Sequence, residues 1–172
     1  FIGCDGLTSV VIPDSVTAIG MVAFIGCDGL TSVVIGDSVT EIAYDAFNGC
    51  SSLTSITVGE NNTAYQSIDG NLYSKDGSVL MQYAIGKTAT EFVILEGVTE
   101  IGDWAFENCS SLTSVVIPDS VTSIGSSAFY YCDSLENVYY TGSEEEWNEI
   151  KINGGNYCLY YATITYNYVP EE

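Results

Sequence analysis

Carboxylates and thiols are the side chains of this sequence with the widest chemical range. The chain has 23 Asp and Glu residues and six Cys, but only three basic residues and no His. Without His it lacks the commonest general base, and without Arg it lacks the bidentate phosphate clamp. Paired carboxylates can hydrolyse glycosides without His, so the arrangement of the acids and thiols decides which chemistry is open.

Five of the six cysteines occupy one position of a recurring segment: Cys4, Cys27, Cys50, Cys109 and Cys132. If these segments stack at the spacing of β-strands, neighbouring cysteines lie about 4.8 Å apart with parallel Cβ directions. A disulfide needs Cβ atoms about 3.8 Å apart that point toward each other. We therefore predict buried free thiols and no zinc site, since no Cys cluster has short spacing. Cys158 lies outside the pattern, and we expect it to be partly buried and unpaired.

A second ladder consists of carboxylates: Asp14, Asp37, Glu96 and Asp119. Closely spaced acids could hold Ca²⁺, which takes six to eight oxygen ligands. No D-x-D-x-D loop accompanies them, and the simpler interpretation is that each carboxylate bonds the backbone of its own turn. The segments GCDG, GCSS and NCSS are typical of turns rather than of nucleophile elbows or phosphate loops. We therefore expect no catalytic residue, no metal site and no cofactor.

The formal net charge of −20 bears on the possible partners. Such a surface repels phosphate backbones and anionic headgroups, so nucleic acid and membrane surfaces are poor partners. No apolar run approaches the roughly 18 residues needed to span a bilayer, so no membrane insertion is expected. The first residue already lies inside a repeat, and we expect the chain to be a piece of a longer protein.

These side chains must be positioned by a repeat, because FIGCDGLTSVVI occurs at 1–12 and again at 24–35. We predict six units of about 23 residues, starting at positions 1, 24, 47, about 83, 106 and 129. A period in the twenties indicates a solenoid, in which each unit buries its apolar face against its neighbours. Each unit reads as a half-buried V-x-I strand, a turn, a short extended piece and a helical turn.

Two segments depart from the repeat. Residues 61–83 are predicted to be an irregular insertion with a hairpin turning at Asp76-Gly77; it either patches an irregular unit or protrudes to bind a partner. Residues 141–168 are predicted to form a C-terminal cap. There Ser143 and Glu146 make a capping box, and the following helix presents Trp147 and Ile150 to the last coil. Residues 169–172 read as the start of a linker or tail.

The pattern L-x-x-V-x-I-P-x-S-V-T-x-I-G-x-x-A-F-x-x-C resembles the BspA-like (treponemal-type) leucine-rich repeat family, over nearly the whole chain. The resemblance implies one β-rich α/β leucine-rich-repeat solenoid, a right-handed coil with a C-terminal cap, spanning 1–172. It also implies an extracellular or cell-surface location, because members are secreted or surface-attached proteins of bacteria and some protist parasites, often proposed as adhesins. It carries over no catalytic residue.

Binding surfaces of solenoids lie where the repeats differ, because the repeated positions build the core. Two sets of residues are candidates: an outward strand-face stripe (Val34, Val93, Val116 and Tyr139) and the turn aromatics (Tyr44, Trp104 and Tyr130). Alternatively, Val simply suits a strand and the aromatics shield neighbouring loops.

The leading functional hypothesis is an extracellular binding or adhesion module for a protein or glycan of the host or of another cell. The alternative is a passive spacer that presents another domain of a larger cell-surface protein. An enzyme is the least supported class, because every repeated acid falls where a turn or a solvated face needs one.

Overall fold

The repeated segments form short parallel strands that stack along a solenoid, and the computed structural model describes residues 1–170. In chain order the elements are β1 (Ser9–Ile12), β2 (Ala18–Ile19), β3 (Ser32–Ile35), β4 (Glu41–Ile42), β5 (Ser55–Val58), β6 (Tyr65–Ile68), β7 (Asn71–Ser74), β8 (Val79–Gln82), β9 (Glu91–Val93), β10 (Glu100–Ile101), β11 (Ser114–Ile117), β12 (Ser123–Ile124), β13 (Asn137–Tyr140), α1 (Glu144–Glu149), β14 (Lys151–Ile152), α2 (Tyr157–Tyr161) and β15 (Thr163–Thr165).

The V-x-I strands pair in parallel and in register, which confirms the predicted solenoid. They form the sheets β1-β3-β5 and β9-β11-β13-β15, so that Val10 pairs with Val33 and Val33 with Ile56. Equivalent Phe residues also stack: the ring centroids of Phe24 and Phe47 lie 5.5 Å apart, nearly parallel. A repeat of constant length places identical side chains side by side, and this is why the twelve-residue segment recurs.

The segment predicted as a helical turn consists of consecutive tight turns. Where the first unit meets the second, the N–H groups of Ala23, Ile25 and Cys27 each donate to the carbonyl three residues earlier. Val22 and Gly26 have φ of 53° and 66°, and a residue in the left-handed region interrupts a right-handed helix. The only helices among residues 1–170 are α1 and α2, both near the C-terminus.

The segment 61–83 forms three antiparallel strands, β6, β7 and β8, with the predicted hairpin between β7 and β8. The Asp76 carboxylate accepts hydrogen bonds from the Ser74 hydroxyl and the Ser78 N–H, which closes the turn. β8 also pairs in parallel with β10, aligning Leu80 with Ile101. The insertion therefore lies within the order of the sheet, which supports its interpretation as a patch rather than a protruding loop.

The C-terminal segment contains the predicted capping box and buried apolar residues. Ser143 and Glu146 cap α1, and Trp147 packs edge-to-face on Tyr140 with ring centroids 5.2 Å apart. Trp147 and Ile150 are buried, as predicted. The sequence did not indicate β14, which extends the ladder of short strands, or α2. The predicted tail includes positions 171 and 172, which lie outside the described residues.

All six thiols are free, as predicted, and four of the five ladder cysteines are buried, whereas Cys4 is only partly buried. The thiols of Cys27, Cys50 and Cys132 donate hydrogen bonds to Phe carbonyls of the preceding coil, over 2.7, 3.1 and 3.0 Å. Burial raises the pKa of the Cys50 thiol to about 12. Cys158 is partly buried, as predicted.

Two carboxylates of the ladder, Asp14 and Asp37, link successive coils, so the prediction that each bonds its own turn is wrong for them. Asp14 Oδ1 accepts from the Asp37 N–H (2.8 Å), and Asp37 Oδ1 accepts from the Asn61 N–H (3.2 Å). The reason is that the turns stack as closely as the strands do, so the next backbone N–H is within reach. Within residues 1–170, no group of three or more Cys, Asp or Glu side chains converges on a possible metal position. No helix in that range is long and apolar enough to cross a membrane.

Candidate binding surface

The strand-face stripe is interrupted in the folded chain. Val34 (40% exposed) lies on the β1-β3-β5 sheet, whereas Val93 (46%) lies on the separate β9-to-β15 sheet. Val116, which was predicted to face a partner, is only 2% exposed. Its neighbours in register on the adjacent strands are Val93 and Tyr139. The Tyr139 ring stacks on Tyr168, with centroids 4.6 Å apart. Val116 therefore supports the surface without contributing contact area.

The turn aromatics lie on another side of the coil and are close to one another. Trp104 and Tyr130 pack edge-to-face with ring centroids 5.9 Å apart, and Tyr130 contacts Tyr131 at 4.1 Å. Tyr44 is 36% exposed and lines a groove of about 290 Å³ together with Trp104. The structure thus brings together all three turn aromatics that the sequence singled out.

A shortened unit explains why Tyr44 and Trp104 meet although sixty residues separate them. Leu80 aligns with Ile101, and Tyr83 stacks on Phe106. Leu80 and Tyr83 are three positions apart in the sequence, whereas their counterparts in the next unit, Ile101 and Phe106, are five apart. The outer turn of this unit is two residues shorter, which leaves a gap between the turns on either side. Gly102 lets the Tyr44 ring pack against the backbone, since a Cβ there would lie 2.7 Å from that ring.

The same groove continues toward the N-terminal coils. A second part of about 400 Å³ lies over β2 and β4 and shares Met21 and Ala43 with the first. We call the two parts together the turn groove; its residues are Ala18, Ile19, Gly20, Met21, Thr40, Glu41, Ile42, Ala43, Tyr44, Asp45, Tyr65, Asp103 and Trp104. Small side chains form much of its floor, and the aromatic rings and Met21 form its walls.

Tyr65 is a groove residue that sequence reasoning missed, because it lies in the irregular insertion. Its hydroxyl accepts a hydrogen bond from the Ile42 N–H (3.0 Å) and donates to the Thr40 carbonyl (3.2 Å). It therefore bonds backbone groups of β4 and of the residue before it, and β4 pairs with no short strand other than β2. The ring is held rigidly at one end of the groove.

The turn groove is electrostatically negative. Glu41, Asp45 and Asp103 line it, and none of the three lysines does. Burial raises the pKa of the Tyr44 phenol, and the charges of Glu100 and Asp103 raise it further. Lys87 lies away from the groove and donates a hydrogen bond to Asn71 Oδ1 (3.0 Å), within the insertion.

The sequence also failed to indicate a group of exposed tyrosines around α2: Tyr157, Tyr160 and Tyr161, at 61%, 65% and 88% exposure. The segment YCLYY carried a signal for them, since five residues include three tyrosines. The segment was interpreted only as part of the cap, whose expected role is to close the core.

A family model for the BspA-type leucine-rich repeat region matches residues 1–79 and 82–170, in six copies. No curated protein sequence matches the chain significantly. Solved structures with a similar fold include the pneumococcal vaccine antigen PcpA (22% identity, 77% of this chain and 41% of that chain, TM-score 0.63). A leucine-rich cell surface protein from Faecalibacterium prausnitzii is 24% identical (86% and 63%, TM-score 0.57), and a leucine-rich repeat protein from Eubacterium ventriosum is 23% identical (84% and 56%, TM-score 0.56). The chain thus spans between 41% and 63% of these three proteins.

Proposed function

This chain belongs to the BspA-type leucine-rich repeat family, and from that premise we propose that it is an extracellular binding module. It recognises a protein or glycan on a host or on another cell, and it does so through the turn side of the solenoid. Four of the contact residues line the turn groove: Met21, Tyr44, Tyr65 and Trp104. The fifth, Tyr130, packs on Trp104 beside it.

The observation that carries this proposal is the turn groove itself. A unit two residues shorter than its neighbours leaves a gap there, and Tyr44 and Trp104 line it. Aromatic side chains offer a large apolar contact area with few rotatable bonds, and they dominate the binding energy of many interfaces. Stacked coils hold them in place, so little conformational entropy is lost when a partner binds. A passive spacer has no need of such a gap.

Binding can be tested with the purified chain on an array of matrix proteins, mucins and glycans, followed by single substitutions. For any ligand found, Trp104→Ala and Tyr44→Ala should each weaken binding about fivefold or more, the loss typical of a residue that contributes over 1 kcal/mol. Val11→Ser is the matched control, because Val11 is 68% exposed on the strand face, away from the groove. It should leave the affinity unchanged.

Two results would contradict the proposal. If Val34→Ser and Val93→Ser weaken binding while the groove variants do not, the strand face is the binding surface. If the chain binds nothing across a broad array, the spacer hypothesis is the better one.

A further inference from the structure

We infer that the turn groove binds an extended cationic peptide segment, with an Arg or Lys side chain laid between its aromatic walls and its carboxylates. This inference rests on the proposed function and adds the chemical class of the partner. It follows from the shape of the groove, the residues of its walls and the charge of the chain.

The shape of the groove suits a peptide strand better than a compact ligand. Its two parts meet at Met21 and Ala43 and run past successive coils of the solenoid. Ala18, Gly20 and Ala43 leave room for a backbone to approach the outer face of β2 and β4. Both parts are open to solvent along their length, whereas small-molecule sites enclose most of their ligand.

The walls combine the two groups that recognise a cationic side chain. Tyr44 and Trp104 line the groove, and the face of an aromatic ring attracts a guanidinium or ammonium group. Met21 is 74% exposed and offers an apolar surface for the aliphatic stem of such a side chain. Glu41 and Asp45 supply carboxylates that pair with the charged end. Asp103 has a structural task, since its Oδ1 accepts from the Ser126 N–H at 2.6 Å.

The charge of the chain favours a cation over a neutral glycan. The formal net charge is −20, and no lysine lines the groove to balance its acids. A neutral sugar would stack on the rings but would leave the carboxylates without a counter-charge. A cationic peptide can contact the rings and also pair with the carboxylates. The electrostatic field of the acidic chain accelerates its association.

The test uses a short fluorescent Gly-Ser peptide that carries two Arg residues, and the same peptide with Gln in their place. Binding is measured by fluorescence anisotropy at about 0.15 M NaCl, where charges beyond about 8 Å are largely screened. Glu41→Gln and Asp45→Asn should each weaken the binding of the Arg peptide fivefold or more. Met21→Ser, which changes no charge, should weaken it as much. Glu60→Gln is the control: it removes one exposed acid outside the groove and should change the affinity less than twofold.

The outcomes separate this inference from the proposed function. Equal losses for Glu60→Gln and the groove variants would show delocalised attraction to the whole acidic surface, and would overturn the inference. It is also overturned if the Gln peptide binds as tightly as the Arg peptide. A protein or glycan from the array whose binding depends on Trp104 but not on Glu41, and which the Arg peptide does not displace, would overturn the inference while leaving the proposed function intact.

Discussion

At the scale of residues, buried asparagines complete the hydrogen bonding where the repeat is interrupted. Asn62 Nδ2 donates to the carbonyls of Gly36 and Val39, over 2.9 and 2.8 Å. Asn156 Oδ1 accepts from the Phe129 N–H at 2.9 Å. In a regular unit the equivalent N–H donates to a backbone carbonyl of the next coil, as the Phe106 N–H does to the Ala128 carbonyl. An amide side chain can replace a peptide group because it carries the same donor and acceptor.

The residue-scale predictions from the sequence succeeded for the repeat and failed for these asparagines. The cysteine ladder could be predicted because each Cys recurs at the same spacing, and the spacing fixes its neighbours. Asn62 and Asn156 each occur once, in segments rich in polar residues. Each takes the place of backbone groups where a regular coil is absent. The places where a coil is absent are known only from the tertiary fold.

Tyr83 provides a sharp test of hydrogen-bond satisfaction. It occupies the position of Phe in the regular units, and its hydroxyl is buried without a hydrogen-bond partner. Tyr83→Phe should therefore raise the free energy of unfolding by about 1 kcal/mol, because the unpaired hydroxyl no longer has to be desolvated. Urea unfolding followed by circular dichroism would measure the change.

The matched control is Tyr65→Phe, which removes a hydroxyl that has two backbone partners. This change should lower the free energy of unfolding by about 1–3 kcal/mol, since the Ile42 N–H loses its acceptor. If both substitutions destabilise the chain to the same extent, the Tyr83 hydroxyl has a partner and the interpretation is wrong.

At the scale of elements, the sequence could predict those with strong local signals. The capping box of α1 and the Asp-Gly turn of the β7–β8 hairpin each have a local chemical cause, and both were predicted. By contrast, β14 has two residues, and α2 has five with no side-chain cap hydrogen bond. Such elements form because a neighbouring ladder offers partners, so their own residues carry little signal. The turn groove was missed in part for the same reason, because it depends on the alignment of a shortened unit.

Helix α1 should stabilise the last coil mainly through one side chain. Trp147 is 7% exposed and packs on Tyr140, which is itself buried. Trp147→Ala should lower the free energy of unfolding by about 3–5 kcal/mol, as large-to-small substitutions in a core do. Thermal unfolding followed by circular dichroism would show the loss.

Trp104→Ala is the control, because Trp104 is the other tryptophan and lies partly exposed in the turn groove. It should cost much less stability than Trp147→Ala. A melting temperature for Trp147→Ala within a degree or two of the parent would mean that the indole does not anchor α1 to the coil.

At the scale of the whole molecule, two hydrophobic cores share one strand. Leu72 belongs to the core of the N-terminal coils, and the next residue, Tyr73, belongs to the core of the C-terminal coils. Successive side chains of a strand point to opposite faces, so β7 is buried on both sides and joins the halves of the solenoid. The sequence predicted one solenoid in which each unit packs against its neighbours. The core is divided because the insertion occupies the place of a regular coil.

This arrangement makes the whole chain sensitive to alkaline pH. Burial raises the pKa of Cys50 from 9.0, and that of Tyr73 and Tyr83 from 10.0, to about 12 in each case. The folded state therefore holds protons that the unfolded state releases above pH about 9, and the slope of stability with pH is negative in that window. The stabilisation is complete below pH 9 and is lost progressively as pH approaches 12. Each ionisation also adds to a net charge that is already −20.

We expect the urea midpoint to fall steadily between pH about 9 and about 11, because both cores contain a group whose ionised form the fold disfavours. Tyr83→Phe removes one such group, so the midpoint of this variant should fall less steeply than that of the parent. Glu60→Gln changes an exposed side chain and leaves the buried thiol and phenols in place, so the slope of this variant should match that of the parent. A midpoint that stays constant from pH about 9 to about 11 would mean that the buried thiol and phenols titrate at their ordinary pKa values in the folded chain.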